Sequence, residues 1–242
     1  MLEIVNLSKS YGKKKALDQV SMKLENGLYG LLGPNGAGKS TLMYMITDNL
    51  MPDEGTISWE GEDIHQLGAE YRKILGYMPQ QQGLYHGFTG RRFLHYMAAL
   101  KDIPRSRIAE ETERAAEYVN LQKELDKKTG SYSGGMKQRL LIAGAIIGSP
   151  RLLIFDEPTA GLDPKERVRV KHMLKKLSEN RIVLLATHIV PDIEHIAEQV
   201  MILKNGVLLE KEKPEQLIEK YAAGGDLEDV YMNIFTDNQV EE

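Results

Sequence analysis

The apolar positions of this chain follow two different periods. Leu2 to Leu7 and Val20 to Leu24 read as strands, the second with strict apolar–polar alternation, and Tyr11-Gly12-Lys13-Lys14-Lys15 reads as the turn between them. Three short apolar runs, Leu28-Tyr29-Gly30-Leu31-Leu32, Leu152-Leu153-Ile154-Phe155 and Ile182-Val183-Leu184-Leu185, suit parallel strands buried on both faces. Asp53-Glu54-Gly55 turns into a strand at Thr56–Trp59, a tight turn is expected at Glu60-Gly61-Glu62-Asp63, and Ile74–Met78 reads as a strand ended by Pro79. From Leu84 to Gly148 the spacing becomes helical, with helices predicted over Arg92–Leu100, Arg105–Val119 and Gly134–Ile147. Pro164–Ser178 is a further helix, and Asn205-Gly206 joins Val200–Leu203 to Val207–Leu209 as a hairpin. Two tail helices follow, one opened by Pro214 and one capped by Asp226. In the second, Leu227, Val230, Tyr231, Ile234 and Phe235 form one apolar stripe; docking on the chain's own core is the expectation and a dimer contact the alternative.

Composition narrows the classes. The 242 residues, 42% of them hydrophobic, are enough for one large domain with a subdomain. A net charge of −4 gives no global field favouring nucleic acid, and none is expected as a partner. The basic run Lys165–Lys176 reads as a solvated helix face. The absence of cysteine excludes disulfides and thiolate metal sites and is compatible with a reducing cytoplasm. Met-Leu-Glu-Ile-Val resembles neither a signal peptide nor a basic presequence. The longest uncharged apolar stretch, Leu140–Gly148, is far shorter than the roughly 20 residues that span a bilayer.

One octet changes the picture most. Gly33-Pro34-Asn35-Gly36-Ala37-Gly38-Lys39-Ser40, between an apolar strand and a helix that begins with Thr41, fits the phosphate-binding P-loop pattern. Its glycines let backbone N–H groups approach phosphate oxygens, and the helix N-terminus adds a positive dipole end. Lys39 can reach the β- and γ-phosphates, and the Ser40 hydroxyl can ligate Mg²⁺. The run Leu152–Phe155 ends in Asp156-Glu157, so a buried strand delivers Asp156 beside the loop to hold Mg²⁺ and Glu157 one residue further, toward an attacking water. Ser133-Gly134-Gly135 opens an apolar helix, a second design that suits an anion.

Together these motifs resemble the nucleotide-binding subunits of ATP-binding cassette (ABC) transporters. Gly33–Ser40 resembles the family's Walker A and Ile154–Glu157 its Walker B. Ser133-Gly134-Gly135 resembles the signature, Tyr77-Met78-Pro79-Gln80 the Q-loop, Ala160-Gly161-Leu162-Asp163 the D-loop and Thr187-His188 the switch histidine. Tyr11 stands where the family's adenine-stacking aromatic lies. The motifs keep the family order from Tyr11 to Gly206. In the signature, Tyr132 replaces the usual Leu and Met136 the usual Gln; this bears on adenine-side contacts more than on phosphate binding.

The resemblance implies an α/β fold, a P-loop NTPase (RecA-like) core with an antiparallel β-subdomain and an inserted α-helical signature subdomain. The implied division is 1–83 and 149–210 for the core and β-subdomain, 84–148 for the helical subdomain and 211–242 for a helical tail. ATP and Mg²⁺ are the implied ligands. Gly33 to Thr41 would hold the phosphates, Ser40, Gln80 and Asp156 the metal, and Tyr11 the adenine. Glu157 would act as general base or water-positioning group, with His188 at the γ-phosphate and Gln80 at the metal and water. Ser133, Gly134, Gly135 and Asp163 would act across a head-to-tail dimer. The implied function is ATP hydrolysis driving transport, as export in the manner of the two-component branch, through a separate integral membrane permease on whose cytoplasmic side the chain sits. Gln80–Leu94 resembles the region that receives that permease. A non-transport ABC ATPase and a regulatory module that binds ATP without turnover are the alternative classes.

Overall fold

The computed structural model describes residues 1–80 and 83–236. Two sheets organise these residues. The first is antiparallel, with strands β1 (Leu2–Tyr11), β2 (Lys14–Leu24), β4 (Glu54–Trp59) and β5 (Glu62–Asp63) in the order β2-β1-β4-β5. The second places β3 (Gly27–Leu32), β6 (Leu75–Met78), β7 (Leu152–Asp156), β8 (Ile182–Ala186), β9 (Gln199–Lys204) and β10 (Val207–Glu212) in the order β10-β9-β3-β8-β7-β6. Five of those six strands are parallel, and β10 closes the edge as an antiparallel hairpin partner of β9.

The three apolar runs are adjacent central strands of this sheet, and their alternation divides the interior into two cores. Leu28 and Leu32 of β3, Leu153 and Phe155 of β7, and Val183 and Leu185 of β8 face the helical side. Tyr29 and Leu31, Leu152 and Ile154, and Ile182 and Leu184 face the antiparallel sheet and helix α1 (Lys39–Ile46). Successive strand side chains point to opposite faces, so a run with no polar residue needs a core on each side.

The helical side is built by α4 (Gly90–Leu100), α5 (Arg105–Tyr118) and α6 (Gly134–Ile146), within one or two residues of expectation. Helix α6 is buried along nearly its whole length, which is why its sequence is apolar all round. Helix α7 (Pro164–Ser178) has the expected bounds, with Asp163 capping it by accepting from the Glu166 N–H at 3.0 Å.

Two short helices, α2 (Ile64–Leu67) and α3 (Ala69–Ile74), are absent from the sequence reading, and they revise the turn expected at Glu60–Asp63. Only Glu60-Gly61 turns; Glu62 and Asp63 pair with Trp59 and Ser58. Asp63 also caps α2, accepting from the N–H groups of His65 and Gln66. The buried Tyr71 fixes α3 by donating its hydroxyl to the Ile46 carbonyl at 2.7 Å.

The tail forms α8 (Pro214–Tyr221) and α9 (Leu227–Thr236). Asp226 and Asp229 cap each other's backbone N–H groups at the start of α9. Leu227, Val230 and Ile234 are buried in the helical-side core, and Tyr231 and Phe235 pack against it. The stripe is therefore covered by the chain itself. No helix among the described residues is long and apolar enough to cross a membrane.

Candidate functional site

Parallel strands bring their carboxyl ends to one edge, and four of them supply the site. Register pairs Met78 of β6 with Phe155 of β7, and Asp156 of β7 with Ala186 of β8. The residues that follow these strand ends therefore meet: Gln80 after β6, Glu157 after β7, Thr187 and His188 after β8, and the loop 33–38 after β3. A crevice at such an edge is where open α/β sheets bind ligands.

The cleft there measures about 340 Å³ and is lined by Tyr11, Pro34, Asn35, Gly36, Gly38, Lys39, Ser40, Thr41, Gln80, Asp156, Glu157 and His188 among others. Lys14 and Ala16 line it too, contributed by the start of β2. The sequence reading passed over Lys14 as part of a basic turn; its signal was a cation three residues after Tyr11. A wider cleft of about 760 Å³ lies between α5 and α7, away from the loop, and holds none of these groups.

The loop's conformation depends on glycine at Gly38. Its φ is +111°, and an added Cβ would strike the Ala16 carbonyl oxygen and approach Leu17 Cδ2 at 2.8 Å. Gly38 thus both turns the chain and packs α1 against β2. Lys39 Nζ donates to the Gly33 carbonyl at 2.5 Å and to Pro34 at 3.2 Å, which holds the ammonium over the loop. Burial lowers the Lys39 pKa, and the charges of Glu157 and Asp156 oppose that shift.

The two acids have different surroundings. Asp156 is 8% exposed, and its pKa is pushed up to about 6. Burial is the main cause, and the Glu157 charge adds to it; Lys39 and a backbone hydrogen bond from Gln80 act the other way. Glu157 is 6% exposed and adopts φ +51°, a conformation uncommon outside glycine. Its Oε1 accepts from the His188 N–H at 3.0 Å and lies 2.7 Å from His188 Nδ1; its Oε2 accepts from the Thr187 hydroxyl at 3.1 Å. A carboxylate can only accept, so Nδ1 carries the proton in that contact. Glu157 and His188 are therefore one hydrogen-bonded unit, with Thr187 as an orienting partner that the sequence reading did not single out. Tyr11 is 52% exposed at the cleft, so its ring is available for stacking.

Six sequence-predicted residues do not line this cleft: Gly33 and Ala37, which belong to the loop itself, and four residues on other elements. Ser133, Gly134 and Gly135 begin α6, where the Ser133 hydroxyl accepts from the Met136 N–H at 3.2 Å, and Asp163 is exposed at the start of α7. Of the two departures, Tyr132 is buried in the helical side and donates its hydroxyl to the Glu124 carbonyl at 2.6 Å, while Met136 packs partly buried against the same core. Within Gln80–Leu94, residues 81 and 82 lie outside the described residues, as do residues 237–242 of the tail.

Comparison with known proteins gives consistent matches. The family model described as "ABC transporter" matches residues 17–160. An uncharacterized ABC transporter ATP-binding protein of Bacillus subtilis, YxlF, is 39% identical over 90% of this chain and 72% of its own length. The Nod factor export ATP-binding protein I of Rhizobium sp. (strain N33) is 34% identical over 91% of this chain and 73% of its own. A dimeric structure of the ATP-binding cassette MJ0796 in a post-hydrolysis state, bound to ADP and Pi, superimposes with a TM-score of 0.77 at 26% identity, over 88% of this chain and 98% of that one.

Proposed function

Because the chain belongs to the ABC transporter family and is one of its ATP-hydrolysing, ATP-binding subunits, we propose that it drives export through a separate membrane-spanning permease. The observation that carries this reading is the joint convergence of Lys39, Asp156, Glu157, His188 and Gln80 in one cleft, with Ser133-Gly134-Gly135 presented elsewhere. Export is supported by the likeness to the Nod factor export ATP-binding protein.

Each group has a role that its geometry suits. The loop N–H groups, the α1 N-terminus and Lys39 bind the phosphates. Tyr11 stacks on the base. Glu157, fixed by Thr187 and His188, positions or deprotonates the water, and His188 meets the γ-phosphate.

The residues fit Mg²⁺ bound together with nucleotide. Ser40, Gln80 and Asp156 supply hard oxygen donors and all line the cleft. The described residues contain no cluster of three or more acids and histidines able to hold a metal alone. Mg²⁺ characteristically takes one or two carboxylates and shares the phosphates. When bound it would neutralise phosphate charge, and it would also relieve the cost of the buried Asp156 carboxylate.

The site is completed by a second copy, head to tail, whose Ser133, Gly134, Gly135 and Asp163 close over the phosphates. ATP then joins the two copies, and its hydrolysis parts them. Residues 84–148 act as the helical subdomain between core and permease, with 211–242 as a tail. The exposed Tyr85, its ring tilted against Phe88 at 4.9 Å between centroids, and the Arg92 guanidinium over Phe88 offer a surface for the permease at the cytoplasmic face.

Purification of the tagged chain from detergent-solubilised native membranes, followed by mass spectrometry, tests this reading. A polytopic membrane protein in stoichiometric amount is expected. Recovery only in the soluble fraction, with ribosomes or nucleic acid, would contradict it.

A further inference from the structure

Helices α6 and α7 meet beneath the Ser133-Gly134-Gly135 turn through an ionic contact. Glu166 lies in the first turn of α7, its side chain 17% exposed. Its Oε2 accepts from Arg139 Nε at 3.1 Å, and its Oε1 from Arg169 Nη1 at 2.5 Å. Arg139 is itself buried, and its Nη1 donates to the carbonyls of Val119 at 2.8 Å and Asn120 at 3.0 Å, where α5 ends. The carboxylate also lies directly against Gly135. A Cβ there would stand 2.7 Å from Glu166 Cγ and 2.9 Å from its Oε2. The next contact ties α6 to the catalytic strand: Gln138 Nε2 donates to the Pro158 carbonyl at 2.6 Å, one residue past Glu157.

Buried ion pairs of this kind contribute little net stability, so their value lies in geometry. A lone carboxylate under a helix N-terminus would repel an incoming phosphate. Here two guanidinium groups offset it, and the cluster of Glu166, Arg139 and Arg169 is left net positive. The planar fork of Arg139 also fixes α5, α6 and α7 relative to one another.

We propose that the Arg139–Glu166–Arg169 cluster is a positioning device that sets the Ser133-Gly134-Gly135 turn for the phosphates of nucleotide held by a second copy. Glu166 touches Gly135 and is held through its own N–H by Asp163. The cluster therefore joins the two segments that this chain offers to its partner. The proposal rests on the two-copy site described above.

The test uses the full chain carrying Glu157→Gln, which slows turnover. Sedimentation velocity gives the ATP-driven dimer dissociation constant, and displacement of a fluorescent ATP analogue at low protein concentration gives the affinity of the single subunit. Arg139→Gln is expected to raise the dimer constant by about tenfold or more, leaving single-subunit affinity within about twofold, because it unpairs a charge-assisted contact in each of two sites. Arg139→Lys keeps the charge, loses the fork and is expected to fall between; it also serves if Arg139→Gln folds poorly. Adding Glu166→Gln to Arg139→Gln should weaken the dimer less than the two separate effects predict, since the residues act as a unit. A dimer constant within twofold of the parent for both Arg139 variants would overturn the proposal. So would an equal fall in single-subunit affinity, which marks general loosening of the fold. Failure of the parent itself to dimerise with ATP would remove the two-copy site, and the proposal with it.

Discussion

Replacing Asp156 by Asn should make the free protein more stable. The carboxyl pKa is pushed from 3.8 to about 6 because the group is buried beside the Glu157 charge. That displacement corresponds to about 3 kcal/mol by which the fold disfavours the ionised form. A carboxyl with a raised folded-state pKa supports the fold at low pH and loses that support as pH rises. Below about pH 3.8 both folded and unfolded states are protonated, and Asp156 costs no more than Asn. Between 3.8 and 6 the unfolded state ionises first, and stability falls by about 1.4 kcal/mol per pH unit. Above 6 the cost is constant. For a chain of this size 3 kcal/mol corresponds to at most roughly 6–12 °C in Tm. Thermal melts without nucleotide or Mg²⁺ should show Asp156→Asn above the parent by several degrees at pH 7.5. The gap should shrink to about half at pH 5. An Asn variant that melts at or below the parent at pH 7.5, or a gap independent of pH, would refute the assignment of burial and like charge as the cause.

Other perturbations follow from single contacts. Gly38→Ala should cost more than about 2 kcal/mol in chemical denaturation, since it forces a side chain onto a φ of +111° and against the Ala16 carbonyl. Tyr132→Phe removes the hydrogen bond to Glu124 and should cost about 1 kcal/mol in the same assay. Leu227→Ala empties a fully buried site where α9 docks and should cost about 2–5 kcal/mol. Glu157→Gln should retain ATP binding in equilibrium titration while phosphate release falls about 10²–10⁴-fold.

Much of this fold is legible in the sequence because its central strands carry no polar residue. Leu152–Phe155 and Ile182–Leu185 need a core on both faces, which leaves little choice but a covered parallel sheet. The cleft is equally legible, because loop 33–38, Asp156-Glu157, Gln80 and Thr187-His188 all follow strands whose parallel register brings those ends together. Helices α2 and α3 were hidden by their length. With four and six residues they give too few turns for a period, and Asp63 served both as strand residue and as cap. The Thr187–Glu157 and Arg139–Glu166 contacts were hidden for another reason. Each acts through a residue distant in sequence, and a lone cation or hydroxyl carries no spacing from which its partner could be read.

The two-copy site is the claim on which the mechanism turns, and sedimentation of the Glu157→Gln chain with ATP, ADP and no nucleotide tests it most directly. With ATP alone the mass should rise from 27.3 kDa to about twice that value. Gly134→Asp in the same background, which sets a carboxylate where the phosphates would dock, should abolish the shift while ATP still binds. A chain that stays at 27.3 kDa with ATP bound, or that dimerises regardless of Gly134, would contradict it.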